Sequence, residues 1–351
     1  MPARRNIPNY ATVCRNRGKN NVYKIMRKKP LLDIILSVGL LTFAVLYVWN
    51  NISEDTDKVS GTADDLSKKE ILEEYKDQIK EQGPEYAYQA FKDKNQQSHF
   101  LAHLFGEALF YVAGTDGVGV CDDTFEFGCY HGFFSAGIQE EGMGIISKFD
   151  EACLRIWGSK SMPCQHGIGH GLMSSGVSLE EALGWCRKIT WQPTGGCTSG
   201  VFMEYNFPAL SDHTGTAPRK EDDKGYFYPC IEVLAEFKNG CYIELPQWWL
   251  SVFSGDFIKI GSLCNEIKDS EHRQYCFYGL GNYAAPSTGY DISRIIKICG
   301  SLPSRDSKKW CRESAAWIFL TRPDSHANIA KLCEGSQECL DKLKQNPFYE
   351  N

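Results

Sequence analysis

The chain has 351 residues, 42% apolar and 23% charged, with a formal net charge of −6 and 15 cysteines. That apolar share is enough to bury a core, which excludes an intrinsically disordered chain. The acidic balance excludes a nucleic-acid backbone as the partner.

In chain order, residues 1–30 form a basic tail that carries nine of the 38 Lys/Arg and no Asp or Glu. The run LLDIILSVGLLTFAVLYVW, residues 31–49, follows with a single charge, Asp33. Its length matches the hydrocarbon core of a bilayer. It is longer than the apolar part of a cleaved signal peptide, and no A-x-A-like site follows it. An uncleaved, lipid-embedded signal anchor is therefore expected. The charge asymmetry predicts a cytoplasmic N-terminus and an extracytoplasmic C-terminal domain. Beyond the anchor, 29 basic residues face 43 acidic ones. Residues 50–70 are acidic, hydroxyl-rich and poor in large apolar groups, so they read as a flexible stalk. A charged helix is expected over 69–82, at the start of an exported domain spanning 71–351.

Cys14 stands alone before the anchor, and fourteen cysteines follow it. An even exported count fits an oxidising compartment. These cysteines fall into the successive pairs 121/129, 153/164, 186/197, 230/241, 264/276, 299/311 and 333/339. The first members recur at steps of 32, 33, 44, 34, 35 and 34 residues. Such a period predicts an all-α chain, an α-solenoid of helix-loop-helix repeats of about 34 residues with one disulfide per hairpin. The 44-residue step places an insertion loop at 208–228. Segments ending at a first cysteine, such as SLEEALGWC and DISRIIKIC, look like capped amphipathic outer helices, and FDEACL is read the same way. Segments opening at a second cysteine, such as CQHGIGHGLM and CTSGVFMEY, are apolar on more than one side and look like buried inner helices. Zinc knuckles normally need cysteines two to four residues apart, and gaps of 11 and 12 do not supply that.

The C-x2-G pattern of CYHG, CQHG, CTSG and CFYG resembles the disulfide-bridged Sel1-like repeats, relatives of the tetratricopeptide class. The likeness spans roughly residues 84–345. The pair gap is longer than in that family, and the tetratricopeptide W-x2-L-G-x2-Y pattern is missing. The resemblance implies an α-solenoid and carries no catalytic residues across.

Superimposing the units on their second cysteine gives two columns on one helical face. Two positions after it stand His131, His166, Ser199, Ile243, Tyr278 and Glu313. Six after it stand Ser135, His170, Met203, Gln247, Asn282 and Trp317. The preceding stretch SHFLAHLFGEAL places His99 and His103 on the same two columns. Five of the eight histidines thus share two stacked columns at one end of the repeat array. Glycines at 132, 167, 200 and 279 recur three positions after the cysteine, where they permit close approach of neighbouring helices.

Neutral imidazoles ligate zinc, copper, iron and nickel, so His99, His103, His131, His166 and His170 are the expected metal ligands. Glu107, four residues beyond His103, is the candidate general base, with Glu204 as a second carboxylate. His213, His272 and His326 fall outside the columns and are expected at the surface. Trp248, Trp249, Tyr278, Tyr283 and Trp317 are expected in the core or lining a groove. No serine-hydrolase elbow, phosphate loop, H-E-x2-H or C-x2-C-H signature is present. Two functional readings follow. One is a membrane-anchored metalloprotein, a metal-dependent hydrolase or redox enzyme. The other is a non-enzymatic scaffold or receptor that grips a protein or peptide on the concave solenoid face.

Overall fold

The computed structural model describes residues 67–349, except 96–97, 123, 126, 209–217, 222–223 and 322–324. All of them belong to one compact unit, Asp65–Asn351. The basic tail, the expected span 31–49 and the stalk up to residue 66 lie outside the described residues. Among the described residues no helix is long and apolar enough to cross a membrane.

The described chain is helical throughout, with no strand. After α1 (67–82) come α2 (Pro84–Lys94), α3 (His99–Ala113), α4 (Gly128–Glu141), α5 (Ile146–Trp157), α6 (Met162–Ser174), α7 (Leu179–Cys186) and α8 (Cys197–Asn206). Then follow α9 (Lys238–Val252), α10 (Phe257–Glu266), α11 (Ser270–Ser287), α12 (Ile292–Gly300), α13 (Arg305–Ile318), α14 (Ser325–Leu332) and α15 (Gln337–Lys344). Helix α1 begins at 67, inside the stretch read as stalk; its Tyr75 packs against Phe91 and Phe105, and its Ile79 is buried in the core.

All seven expected disulfides form, each between neighbours in the chain, with Cα–Cα separations of 5.4 to 5.8 Å. Those are ordinary disulfide spans. Closing loops of this size stabilises by ~2.5–3 kcal/mol each, mainly by restricting the unfolded chain. Seven such bonds fit an oxidising, extracellular-type environment. In five units the first cysteine lies in the second half of an outer helix or directly follows one. The exceptions are Cys121, which follows a short 3-10 segment, Gly114–Val120, and Cys230, which sits among turns after the insertion.

Outer helices start on the caps their sequences announce. Ser178 accepts from the Glu181 amide, Asp291 from Arg294, and Asp256 from Ile258 and Lys259. FDEACL departs from this: Asp150 lies inside α5 and is buried. It accepts from Gln165 Nε2 at 2.8 Å and from the Thr190 amide and hydroxyl at 2.9 Å, tying three successive segments together.

Inner helices pack on one another in chain order, α3 on α4, α4 on α6, α6 on α8, α8 on α9, α9 on α11 and α11 on α13. Helix α4 shows why these segments are apolar on all sides, since every residue from Gly128 to Ile138 is buried. The glycines set the spacing. A Cβ on Gly132, Gly200 or Gly279 would overlap the carbonyl oxygen of His103, His166 or Ile243 on the preceding inner helix. Gly167 meets the ring of Phe134 instead, so α4 and α6 are held apart by a side chain there. A second glycine position lies two residues further on. Gly106, Gly169 and Gly281 abut the carbonyl oxygens of Cys129, Cys197 and Cys311.

The described ends of the insertion are clamped to this row. Trp248 Nε1 donates to the Arg219 carbonyl and Trp249 Nε1 to the Tyr226 carbonyl, both at 2.9 Å. The Arg219 guanidinium lies over the Trp248 ring, 3.4 Å from its centroid. Both tryptophans are fully buried, whereas Trp317 is exposed.

Candidate metal centre

Helix periodicity brings residues four apart onto one face, so α3 presents His99 beside His103 and α6 presents His166 beside His170. The Nε2 atoms of His99 and His103 are 2.9 Å apart, and those of His166 and His170 are 3.1 Å apart. Between these helices α4 contributes His131. Its ring centroid lies 5.4 Å from His99, 5.6 Å from His103 and 4.1 Å from His170, on which it stacks at 29°. Side chains up to 71 positions apart in sequence therefore form one continuous string of imidazoles. Within it, His99, His103 and His131 each offer a ring nitrogen, and these atoms lie within 4.8 Å of one another.

The register differs from the sequence expectation in one respect. Gly132 contacts the His103 carbonyl as Gly200 contacts that of His166, so His103 is the structural counterpart of His131 and His166. The stretch SHFLAHLFGEAL is thus shifted by one helical turn. His99 stands a turn before the columns, and Glu107 takes the position of Ser135 and His170. The cause is close packing, which aligns backbones by the glycines rather than by the first available histidine.

The outer nitrogen of each pair is fixed. His99 Nδ1 faces the Phe125 carbonyl at 2.5 Å, and a carbonyl only accepts, so Nδ1 carries the proton and Nε2 the lone pair. Phe125 and Phe127 hold left-handed backbone conformations, φ 58° and 64°, in the loop closed by the Cys121–Cys129 bond. That curl aims the carbonyl at His99. On α6, His170 Nδ1 donates to Glu204 Oε2 at 2.9 Å, which again leaves Nε2 as the lone-pair nitrogen. His170 and Glu204 are 2% and 1% exposed, so this pair is sealed from solvent.

His131 is 5% exposed, and its Nδ1 has no hydrogen-bond partner. Burial, with neighbouring imidazoles adding to it, holds His131 and His170 well below the usual histidine range. Burial likewise brings His166 down to about 4. These rings are neutral at physiological pH, the form that binds metal.

Glu107 lies one turn beyond His103 and outside the close-set group of His99, His103 and His131. Burial raises its pKa, and the charge acting on it is Lys76 of α1. Glu204 meets His170, because it extends from α8 toward α6. His272 is half-buried and stacks on Tyr242 at 5.2 Å, away from the string. His213 lies outside the described residues, and so does the side chain of His326.

Comparison with known protein families, curated proteins and solved structures returns no match. The likeness to Sel1-like repeats therefore rests on cysteine and glycine spacing alone.

Proposed function

We propose that the chain is a membrane-anchored, extracytoplasmic helical-repeat protein whose N-terminal inner helices hold a transition-metal ion on His99, His103 and His131. The observation that carries this reading is the convergence of three imidazole nitrogens within 4.8 Å of one another, one of them the unpartnered Nδ1-bearing ring of the buried His131. An unpaired polar atom in a sealed core costs stability, and a ligand that takes up imidazole lone pairs explains why the sequence keeps it.

The spacing of the first pair bears on which ion would suit it. An ion ~2.1 Å from both Nε2 atoms of a pair 2.9 Å apart sees them at roughly 90°. A tetrahedral pair needs roughly 3.4 Å between nitrogens. Cis ligands near a right angle suit iron, copper or nickel better than a closed tetrahedral zinc site. With three protein ligands, positions stay open for water or substrate, as in redox and hydrolytic centres.

Two further parts of the reading rest on sequence. Residues 31–49 anchor the chain with residues 1–30 in the cytoplasm. The disulfide-tied hairpins continue one another as an α-solenoid, supported by the chain-order stacking of inner helices and the repeated glycine–carbonyl contacts.

The test is elemental analysis of the purified full chain, wild type and His131→Ala. Stoichiometric iron, copper or nickel in the wild type, lost in the variant with the fold intact, is the expected result. No bound metal in the wild type, even after reloading, would remove the reading and leave a polar-cored scaffold.

A further inference from the structure

A histidine that ligates a metal normally has its ring turned by a hydrogen bond at its other nitrogen, which sets the direction of the lone pair. His99 has such a bond, from Nδ1 to the Phe125 carbonyl at 2.5 Å. His131 is different. Its buried Nδ1 has no hydrogen-bond partner, and the two ring-to-ring bonds of the string, His99 with His103 and His166 with His170, leave it out.

Packing fixes the His131 ring instead. His99 and His103 meet it steeply, at 73° and 59°, whereas His170 lies closer to parallel, at 29°, with centroids 4.1 Å apart. His170 is in turn held at both ring nitrogens. Its Nδ1 donates to Glu204 Oε2 at 2.9 Å. Its Nε2 therefore carries the lone pair and accepts the Nε2–H of His166 at 3.1 Å. Rotation of the ring about Cβ–Cγ would break both bonds. Helix α6 packs on α4 and on α8, so His170 reaches His131 of α4 with its face and Glu204 of α8 with its edge.

We propose that Glu204, His170 and His166 are positioning residues for the metal held by His99, His103 and His131: they lock the ring on which His131 stacks and so aim its lone pair. This rests on the three-histidine site being a metal site. Both nitrogens of His170 are already engaged, so the second pair buttresses the first three histidines and ligates nothing itself. Releasing His170 frees His131 to turn, which carries its nitrogen away from the other two.

The test is a cobalt(II) titration of the full chain in a Cys14→Ser background, which removes the one cysteine outside the seven disulfides. Stoichiometry is read by elemental analysis, affinity and ligand geometry by visible absorption, and fold by thermal unfolding of the metal-free forms. The expected result is one equivalent in the parent chain, in His166→Ala and in Glu204→Ala, with both variants weakened roughly 10–100-fold and their absorption bands shifted. Glu204→Gln keeps an acceptor for His170 Nδ1 and is expected to lie closer to the parent than Glu204→Ala does.

Unchanged affinity and spectrum in His166→Ala and Glu204→Ala, whatever their melting temperatures, would reduce these residues to structural ones and overturn the proposal. Two equivalents in the parent with one lost in His166→Ala, or loss of the single equivalent in that variant, would make His166 a ligand and overturn it too. No cobalt in the parent removes the three-histidine site itself, an outcome distinct from the others. His166 is half-buried, so its variant carries the test even where Glu204→Ala fails to fold.

Discussion

The inner helices α3 to α8 and the inner helices α9 to α13 are built on one packing rule and carry different chemistry. In both regions a glycine lies against the carbonyl of the neighbouring helix, Gly200 on His166 in the first and Gly279 on Ile243 in the second. A second glycine reciprocates, Gly169 on Cys197 and Gly281 on Cys311. Each region also buries one glutamate whose carboxylate meets a ring on an adjacent inner helix. Glu204 receives the His170 imidazole, and Glu244 receives the Tyr283 hydroxyl. Yet the columns that read histidine in the first region read Ile243, Tyr278, Glu313, Gln247, Asn282 and Trp317 in the second. The glycine–carbonyl contacts of the second region form without imidazoles, so those contacts do not depend on histidine. That separation supports the ligand role proposed for the histidines.

The largest expected effect tests the shared rule. Gly169→Ala and Gly281→Ala each push a methyl group into a backbone carbonyl that cannot retreat, at a cost of about 3 kcal/mol or more apiece. Thermal unfolding of both variants should show comparable losses. A loss confined to one region would mean that the two halves are not packed alike.

Next in size is the pH response of the second region. Burial raises Glu244 from the ordinary value to about 7, against the lowering pull of its bonds to Tyr283 and Ser199. A carboxyl with a raised folded-state pKa contributes stability that is full below its unfolded value of about 4.5 and lost as pH rises through about 7. Glu244→Gln should therefore be more stable than the parent at pH 8 by roughly 2–3 kcal/mol, with the gap closing toward pH 4. Denaturant midpoints at the two pH values measure it, and a pH-independent difference would show that Glu244 is not the titrating group.

The smallest effect sharpens the functional half of the comparison. His131→Leu removes an unpartnered buried nitrogen, so in the metal-free chain it should be neutral or stabilising by about 1 kcal/mol. The same variant should gain no stability from added metal, whereas the parent should. Loss of several kcal/mol in the metal-free variant would instead identify His131 as a structural residue.

Much of the fold was legible before any coordinates. Seven disulfide partners follow from spacing because short local loops leave each cysteine only one near neighbour. Helix caps such as Ser178 and Asp291 are visible because capping is a local interaction. Asp150 misled for the same reason: it looks like a cap, and its true partners Gln165 and Thr190 lie 15 and 40 residues away. The histidine columns were visible as period, but the α3 segment was set one turn out of register, since no cysteine marks where its alignment begins.

Sequence by itself determined the helical class, the disulfide ladder and which helical face carries imidazole, because these depend on spacing along one chain. Only the tertiary structure decided that Glu204 meets His170 and that His131 sits between two pairs. It also fixed which ring nitrogen keeps its lone pair. Those outcomes depend on how glycine-spaced helices slide past one another by single turns, a choice made by backbone contact across 30 or more residues and written in no local pattern.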